Sequence, residues 1–134
     1  MKRILIDTNI YAEFKRKNPS VIEVLRQVDF IGVNVVVLAE LLSGFFGGAK
    51  EEQNRQELNQ FLDSSRVHVI PIDEETAEFY ARIHRDLKRK GKMIPVNDIW
   101  VAASAMKNGL ALFTHDEHFE SVEGIMLLKN GGGL

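Results

Sequence analysis

Arg3-Ile4-Leu5-Ile6-Asp7-Thr8-Asn9 is an apolar run without alternation that stops on an acid and two small polar residues. A strand buried on both faces reads this way, because a parallel sheet covered by helices has no solvent face to alternate against. Asp7 or Thr8 is placed to cap a following helix whose apolar positions are Ile10, Tyr11 and Phe14, and Asn18-Pro19-Ser20 then punctuates the chain. The opening unit is a strand, an acid at its carboxyl end, and a helix.

Working outward, Val21, Val24, Leu25 and Val28 fall at i, i+3, i+4 and i+7 and give a second helix one apolar face. Phe30 to Val37 is rich in β-branched residues and contains a second strand, and Val36 to Leu42 passes into a helix carrying Glu40. Gly44-Phe45-Phe46-Gly47-Gly48 is expected to break that helix. Lys50 to Ser64 reads as a polar helix with Leu58, Phe61 and Leu62 facing inward, and Val67 to Ile70 as the third strand. Asp73 opens a long helix that is acidic at its start, basic at its end at Lys90, and stopped by Gly91. Pro95-Val96-Asn97-Asp98 leads into a helix with Ile99, Ala102, Ala103 and Met106 at core spacing, so Asp98 lies in its first turn. Leu110 to Phe113 is the fourth strand, ending at Thr114-His115-Asp116, and Ile125 to Leu128 the fifth, before a frayed tail at Gly131, Gly132 and Gly133. Strands alternating with helices predict a three-layer α/β domain, a mainly parallel five-stranded sheet with right-handed crossovers, and one domain over residues 1–134.

Composition agrees. With 134 residues, 45% of them hydrophobic and 27% charged, the chain is sized and composed as one soluble globular domain. No apolar run approaches the length needed to span a bilayer, and an acid as early as Asp7 speaks against a secretory leader, so a cytoplasmic location without membrane contact is expected. The absence of cysteine excludes disulfides, thiolate metal sites and a cysteine nucleophile, and leaves oxygen or imidazole to hold any metal. A net charge of −2 gives no overall attraction to nucleic acid, so any such contact must be local.

The acids carry the functional signal. In an open α/β sheet, ligands bind outside the carboxyl ends of the strands, and Asp7 and Asp116 directly follow the first and fourth strands. Glu40 and Asp98, on helices, reach the same edge if those helices pass or begin there. Ionised carboxylates brought within a few ångströms repel one another unless a cation lies between them. A divalent ion resolves the conflict, and Mg²⁺ or Mn²⁺ held by oxygen donors suits phosphodiester chemistry, in which the ion activates water and neutralises the leaving oxygen. No serine or cysteine is placed beside a base for covalent catalysis.

Ile4-Leu5-Ile6-Asp7-Thr8-Asn9, Leu38-Ala39-Glu40-Leu41, Ile94-Pro95-Val96-Asn97-Asp98-Ile99-Trp100-Val101-Ala102-Ala103 and Leu112-Phe113-Thr114-His115-Asp116-Glu117-His118-Phe119, in this order, resemble PIN-domain ribonucleases, above all the VapC-type toxins. The resemblance covers nearly the whole chain. It implies a Mg²⁺- or Mn²⁺-dependent endoribonuclease, commonly a homodimer, with a VapB-like antitoxin as partner. It matches Asp7, Glu40 and Asp98 to the principal acids of the site and Asp116 to a fourth, with Asp7, Asp98 and Asp116 as metal ligands and Thr8, Asn9 and Thr114 supporting the site. A housekeeping PIN nuclease of RNA processing and a catalytically silent binding module are the alternatives.

Secondary signals are weaker. Arg82, Arg85 and Arg89 recur along the long helix and are candidates to track an RNA backbone, although basic residues near a helix end also satisfy its dipole. His115 and His118 have an H-x-x-H spacing but lack the helix that a zinc motif needs. Phe45 and Phe46 are expected in the core or a subunit contact, and Trp100 beneath the site or at such a contact.

Overall fold

The computed structural model describes residues 2–129; the glycine tail at Gly131, Gly132 and Gly133 lies outside them. Five parallel strands form one sheet: β1 (Arg3–Ile6), β2 (Phe30–Asn34), β3 (Val67–Ile70), β4 (Ala111–Phe113) and β5 (Leu127–Leu128). Their order is β3-β2-β1-β4-β5. The helices are α1 (Thr8–Lys15), α2 (Pro19–Gln27), α3 (Val35–Phe45), α4 (Glu51–Leu62), α5 (Glu74–Lys90) and α6 (Val96–Lys107). The expected α/β architecture with a parallel sheet is what the chain adopts.

Strand order decides where a site can lie. The chain lays β2 and β3 on one side of β1, then returns to place β4 and β5 on the other, so the crossovers diverge between β1 and β4. That divergence opens a crevice at the carboxyl ends of these two strands. Ile4, Leu5 and Ile6 pair with Ile31, Gly32 and Val33 on one side and with Ala111, Leu112 and Phe113 on the other. The register leaves Asp7 and Thr114 as the next residues of adjacent strands.

Burial explains the unalternating sequence of β1: Ile4, Leu5 and Ile6 are each at most 1% exposed, as expected for a strand covered on both faces. Gly32 in β2 is where side chains of the neighbouring strands crowd the backbone. A Cβ there would stand 3.0 Å from Ile70 Cγ1 and Leu5 Cδ1 and 3.2 Å from Leu110 Cδ1. Gly32→Ala is therefore expected to destabilise the fold by about 1–3 kcal/mol, the usual cost of overpacking, read as a lower urea midpoint at unchanged slope. An unchanged midpoint would mean that the three side chains move aside freely.

Caps set the helix ends. Asn18 caps α2 through Ser20 N, Asn34 caps α3 through Val36 N, and Asp73 closes a capping box with Thr76 on α5. Gly91, at φ 67°, supplies the left-handed stop after Lys90. Arg66 ties β3 to the end of α2, its Nη1 donating to the carbonyls of Leu25 at 2.7 Å and Val28 at 2.6 Å.

Three details refine the sequence reading. Helix α3 continues through Gly44 to Phe45, because Gly44 has open space around it and normal helical backbone; the stop comes at Gly47, which takes φ 77°. Phe45 packs on the core while Phe46 is 78% exposed, so the pair divides. A 3₁₀ turn at Glu117–Ser121, capped by Asp116 and held by fully buried Phe119, occupies what reads as a loop. Trp100 lies against Tyr80 of α5, ring centroids 4.2 Å apart.

Candidate metal centre

Each acid arrives on a different element. Asp7 ends β1 and caps α1, its Oδ1 accepting from Ile10 N at 2.9 Å. Asp98 lies in the first turn of α6 and Glu40 in the middle of α3. Asp116 follows β4 and caps the 3₁₀ turn, its Oδ1 accepting from His118 N at 2.9 Å. Asp7, Thr8, Asn9, Glu40, Asp98 and Asp116 line one cavity of about 150 Å³, with Val101, one turn after Asp98, as its apolar wall. A water takes up roughly 30 Å³ of liquid, so the cavity admits an ion with a few waters.

Neutral donors orient the carboxylates. Thr114 Oγ1 donates to Asp7 Oδ2 and itself accepts from Asp116 N at 3.0 Å, so one hydroxyl couples two acids. Thr8 Oγ1 donates to Glu40 Oε1 at 2.6 Å and Asn97 Nδ2 to Glu40 Oε2 at 3.2 Å. His118 Nδ1 stands 3.4 Å from Asp98 Oδ2 and 3.3 Å from Asp116 Oδ1. Among the described residues, no lysine or arginine lines the cavity.

The electrostatic consequence is strain in the charged state. Asp7 is only 7% exposed, and burial pushes its carboxyl above the usual aspartate range; the bonds from Thr114 and Ile10 oppose the shift, and Asp116 and Asp98 add to it. Burial also raises Asp98, opposed by His118 and reinforced by Asp116 and Glu40. A divalent cation removes this strain, and oxygen donors converging in a small polar cavity are the set that Mg²⁺ and Mn²⁺ accept. The residues present fit such an ion.

Thr114→Val tests the coupling hydroxyl. It keeps the side-chain volume but leaves Asp116 N and Asp7 Oδ2 each without a partner, an expected loss of about 1–3 kcal/mol for an unsatisfied buried group. Thermal unfolding in EDTA measures it, and an unchanged transition would show that water replaces the hydroxyl.

The four sequence-predicted acids thus share one cavity, with Thr8 and Asn9 on its wall and Thr114 bonded to two of them. Arg82, Arg85 and Arg89 do not line this cavity. Arg82 lies over the Phe79 ring, 4.8 Å from its centroid, and lines a separate cavity with Asp86 and Glu123; Arg85 and Arg89 are exposed on α5. Sequence reasoning assigns no role to His118 or Asn97. The signal for Asn97 is adjacency to Asp98; for His118 it is the i+2 spacing from a residue able to cap a turn. The H-x-x-H pair separates, with His115 Nδ1 turned to Glu13 Oε2 at 2.8 Å and His118 to the acids.

Known proteins share this fold. The PIN domain family model matches residues 4–125. The chain belongs to the PIN-domain family, in its VapC-type branch. It is 30% identical to Ribonuclease VapC2 of Rickettsia felis, over 92% of this chain and 94% of that one. It is also 30% identical to Ribonuclease VapC5 of Mycobacterium tuberculosis, over 72% of this chain and 71% of the relative. Among solved structures, VapBC2 from Rickettsia felis, bound to a DNA fragment from its promoter, superposes with a TM-score of 0.86 at 28% identity, covering 96% of this chain and 98% of that one. VapBC-1 from nontypeable Haemophilus influenzae gives 0.84 at 25% identity, covering 94% and 96%.

Proposed function

We propose that this protein is the endoribonuclease toxin of a toxin-antitoxin pair, cutting RNA phosphodiester bonds with Mg²⁺ or Mn²⁺ held by Asp7, Asp98 and Asp116. The observation that carries the reading is the meeting of Asp7, Glu40, Asp98 and Asp116 in one cavity at the divergence of β1 and β4, with no lysine or arginine among its described lining residues. When bound, a divalent ion would supply charge to a scissile phosphate and acidify water beside it. Asp7, Asp98 and Asp116 would hold it, and Glu40, whose two carboxylate oxygens accept from Thr8 and Asn97, is positioned to accept a proton from the attacking water. Val101 supplies the apolar part of the cavity wall.

The partner reading rests on the VapBC complexes among the structural relatives. A VapB-like antitoxin, a homodimer and a cytoplasmic location belong to the same proposal; among the described residues no helix is long and apolar enough to cross a membrane. Arg82, Arg85 and Arg89 contribute to RNA binding through the phosphate backbone. Replacing all three by glutamine should flatten the salt dependence of single-stranded RNA binding, by about 0.7 in log–log slope for each phosphate no longer neutralised. An unchanged slope would return them to a purely structural face.

The deciding assay is cleavage of a mixed structured-RNA pool by purified protein in Mg²⁺, Mn²⁺ or EDTA, with Asp98→Asn in parallel. Cutting that needs metal and disappears in the variant supports the proposal. Equal cutting by both proteins would reassign the activity to a contaminant, and no cutting of any RNA, with no growth arrest on expression, would favour the silent binding module.

A further inference from the structure

We propose that His118 is a metal ligand, its imidazole Nδ1 joining Asp98 and Asp116, and that this nitrogen tilts the centre toward Mn²⁺ over Mg²⁺. The inference rests on reading the acidic cavity as a divalent-cation centre and goes further, naming a nitrogen donor and the ion it selects.

Donor spacing is the first argument. One oxygen of Asp98, one of Asp116 and a ring nitrogen of His118 all lie within 4.8 Å of one another. The two Nδ1–oxygen distances, 3.3 and 3.4 Å, are long for charge-assisted hydrogen bonds, which close to roughly 2.7–2.9 Å. Neighbouring ligands around an octahedral ion, each about 2.1 Å from it, stand roughly 3 Å apart. The nitrogen faces two carboxylates from different elements at a spacing better suited to sharing a cation than to bonding either oxygen directly.

Placement of the backbone is the second. His118 N is held by Asp116 Oδ1, and the next residue, Phe119, is fully buried. The main chain is thus anchored on both sides of a side chain that is itself 54% exposed. His115, three residues earlier, is committed elsewhere: Nδ1 meets Glu13 and the ring stands edge-on to Phe113 with centroids 5.7 Å apart. It serves as an internal control.

Selectivity follows from donor chemistry. Mg²⁺ is a hard ion that takes oxygen almost exclusively, whereas Mn²⁺ shares its preference for oxygen but, as a first-row transition ion, accepts an imidazole nitrogen more readily than Mg²⁺ does. Replacing one oxygen of the shell by nitrogen therefore weakens Mg²⁺ relative to Mn²⁺.

Pulsed electron paramagnetic resonance of Mn²⁺ bound to the whole chain reads the nitrogen directly, without reference to RNA cleavage. Wild type and His115→Gln are expected to show modulation from a coordinated ¹⁴N, and His118→Gln to lack it. Calorimetric titration should show Mn²⁺ affinity falling in His118→Gln at least by the roughly tenfold that losing even an outer-shell partner brings, with Mg²⁺ affinity little changed. His118→Asp, which restores an oxygen donor, should narrow the preference for Mn²⁺. Mn²⁺ binding to wild type without ¹⁴N modulation, or modulation that persists in His118→Gln, overturns the assignment and leaves the carboxylate centre standing. Failure of wild type to bind Mn²⁺ at all overturns the centre itself.

Discussion

Asp98→Asn is expected to reduce RNA cleavage by at least the roughly 10–100-fold that losing even an outer-shell partner of a metal ligand costs, while the metal-free protein melts at the same temperature or higher. The two outcomes have one cause. Asp98 is held near Asp116 and Glu40 and partly removed from water, so its charge is disfavoured in the empty fold and useful only when a cation is present. Asparagine keeps the shape and an oxygen acceptor but carries no charge. Lost negative charge in the first turn of α6 works the other way, by roughly 0.3–1 kcal/mol. Cleavage assays and calorimetry in EDTA, run on the same preparations, separate the two effects. A large fall in melting temperature without metal would show that the carboxylate is a structural group. Asp7→Asn is a less clean test, because Asp7 also caps α1 and accepts from Thr114.

The second large effect is metal-dependent stability that grows with pH. Folding raises the Asp7 and Asp98 carboxyls above their ordinary value of 3.8. Below that value both the folded and the unfolded chain are protonated there. As pH climbs through the window, the unfolded chain releases protons that the folded chain still holds, so metal-free stability declines until the raised values are passed. Asp73 behaves oppositely: its capping bonds to Thr76 and its pairing with Lys107 lower its carboxyl, so its stabilisation is lost only in stronger acid. Subtracting the melting temperature of wild type from that of Asp98→Asn, in EDTA, should therefore give a difference that widens as pH climbs above 3.8. A flat difference would contradict the electrostatic account. Adding Mg²⁺ or Mn²⁺ at about 100 times its dissociation constant should then stabilise wild type by about 2.7 kcal/mol, on the order of 10 °C for a domain of this size. No shift at millimolar ion would remove the metal from the proposed site.

Much of this is legible in the order of residues, and the reasons differ from element to element. The four acids are visible because each is tied to a local signal: Asp7 to the end of an unalternating strand, Asp98 to the first turn after Pro95, Asp116 to the end of β4, Glu40 to the helix after β2. The end of α3 is not, because glycine lowers helix propensity by only about 1 kcal/mol, and the packing of Leu41, Leu42 and Phe45 on the core outweighs it at Gly44. His118 escapes a reading of the sequence because its partners are Asp98 and Asp116; the nearer, two residues back, meets its ring only through the 3₁₀ turn, and the other lies on α6.

By itself the sequence determined the alternation of strands and helices, their approximate ends, the parallel character of the sheet and the identity of the acids, since all of these follow from short-range periodicity, capping and burial on both faces. Only the tertiary structure decided the strand order, the divergence between β1 and β4 that opens the crevice, the hydroxyl of Thr114 shared by two acids, and the turn of His118 away from His115 toward the carboxylates. Those depend on which distant segments meet, and the free energy that selects among such meetings lies in packing and desolvation, which no local pattern encodes.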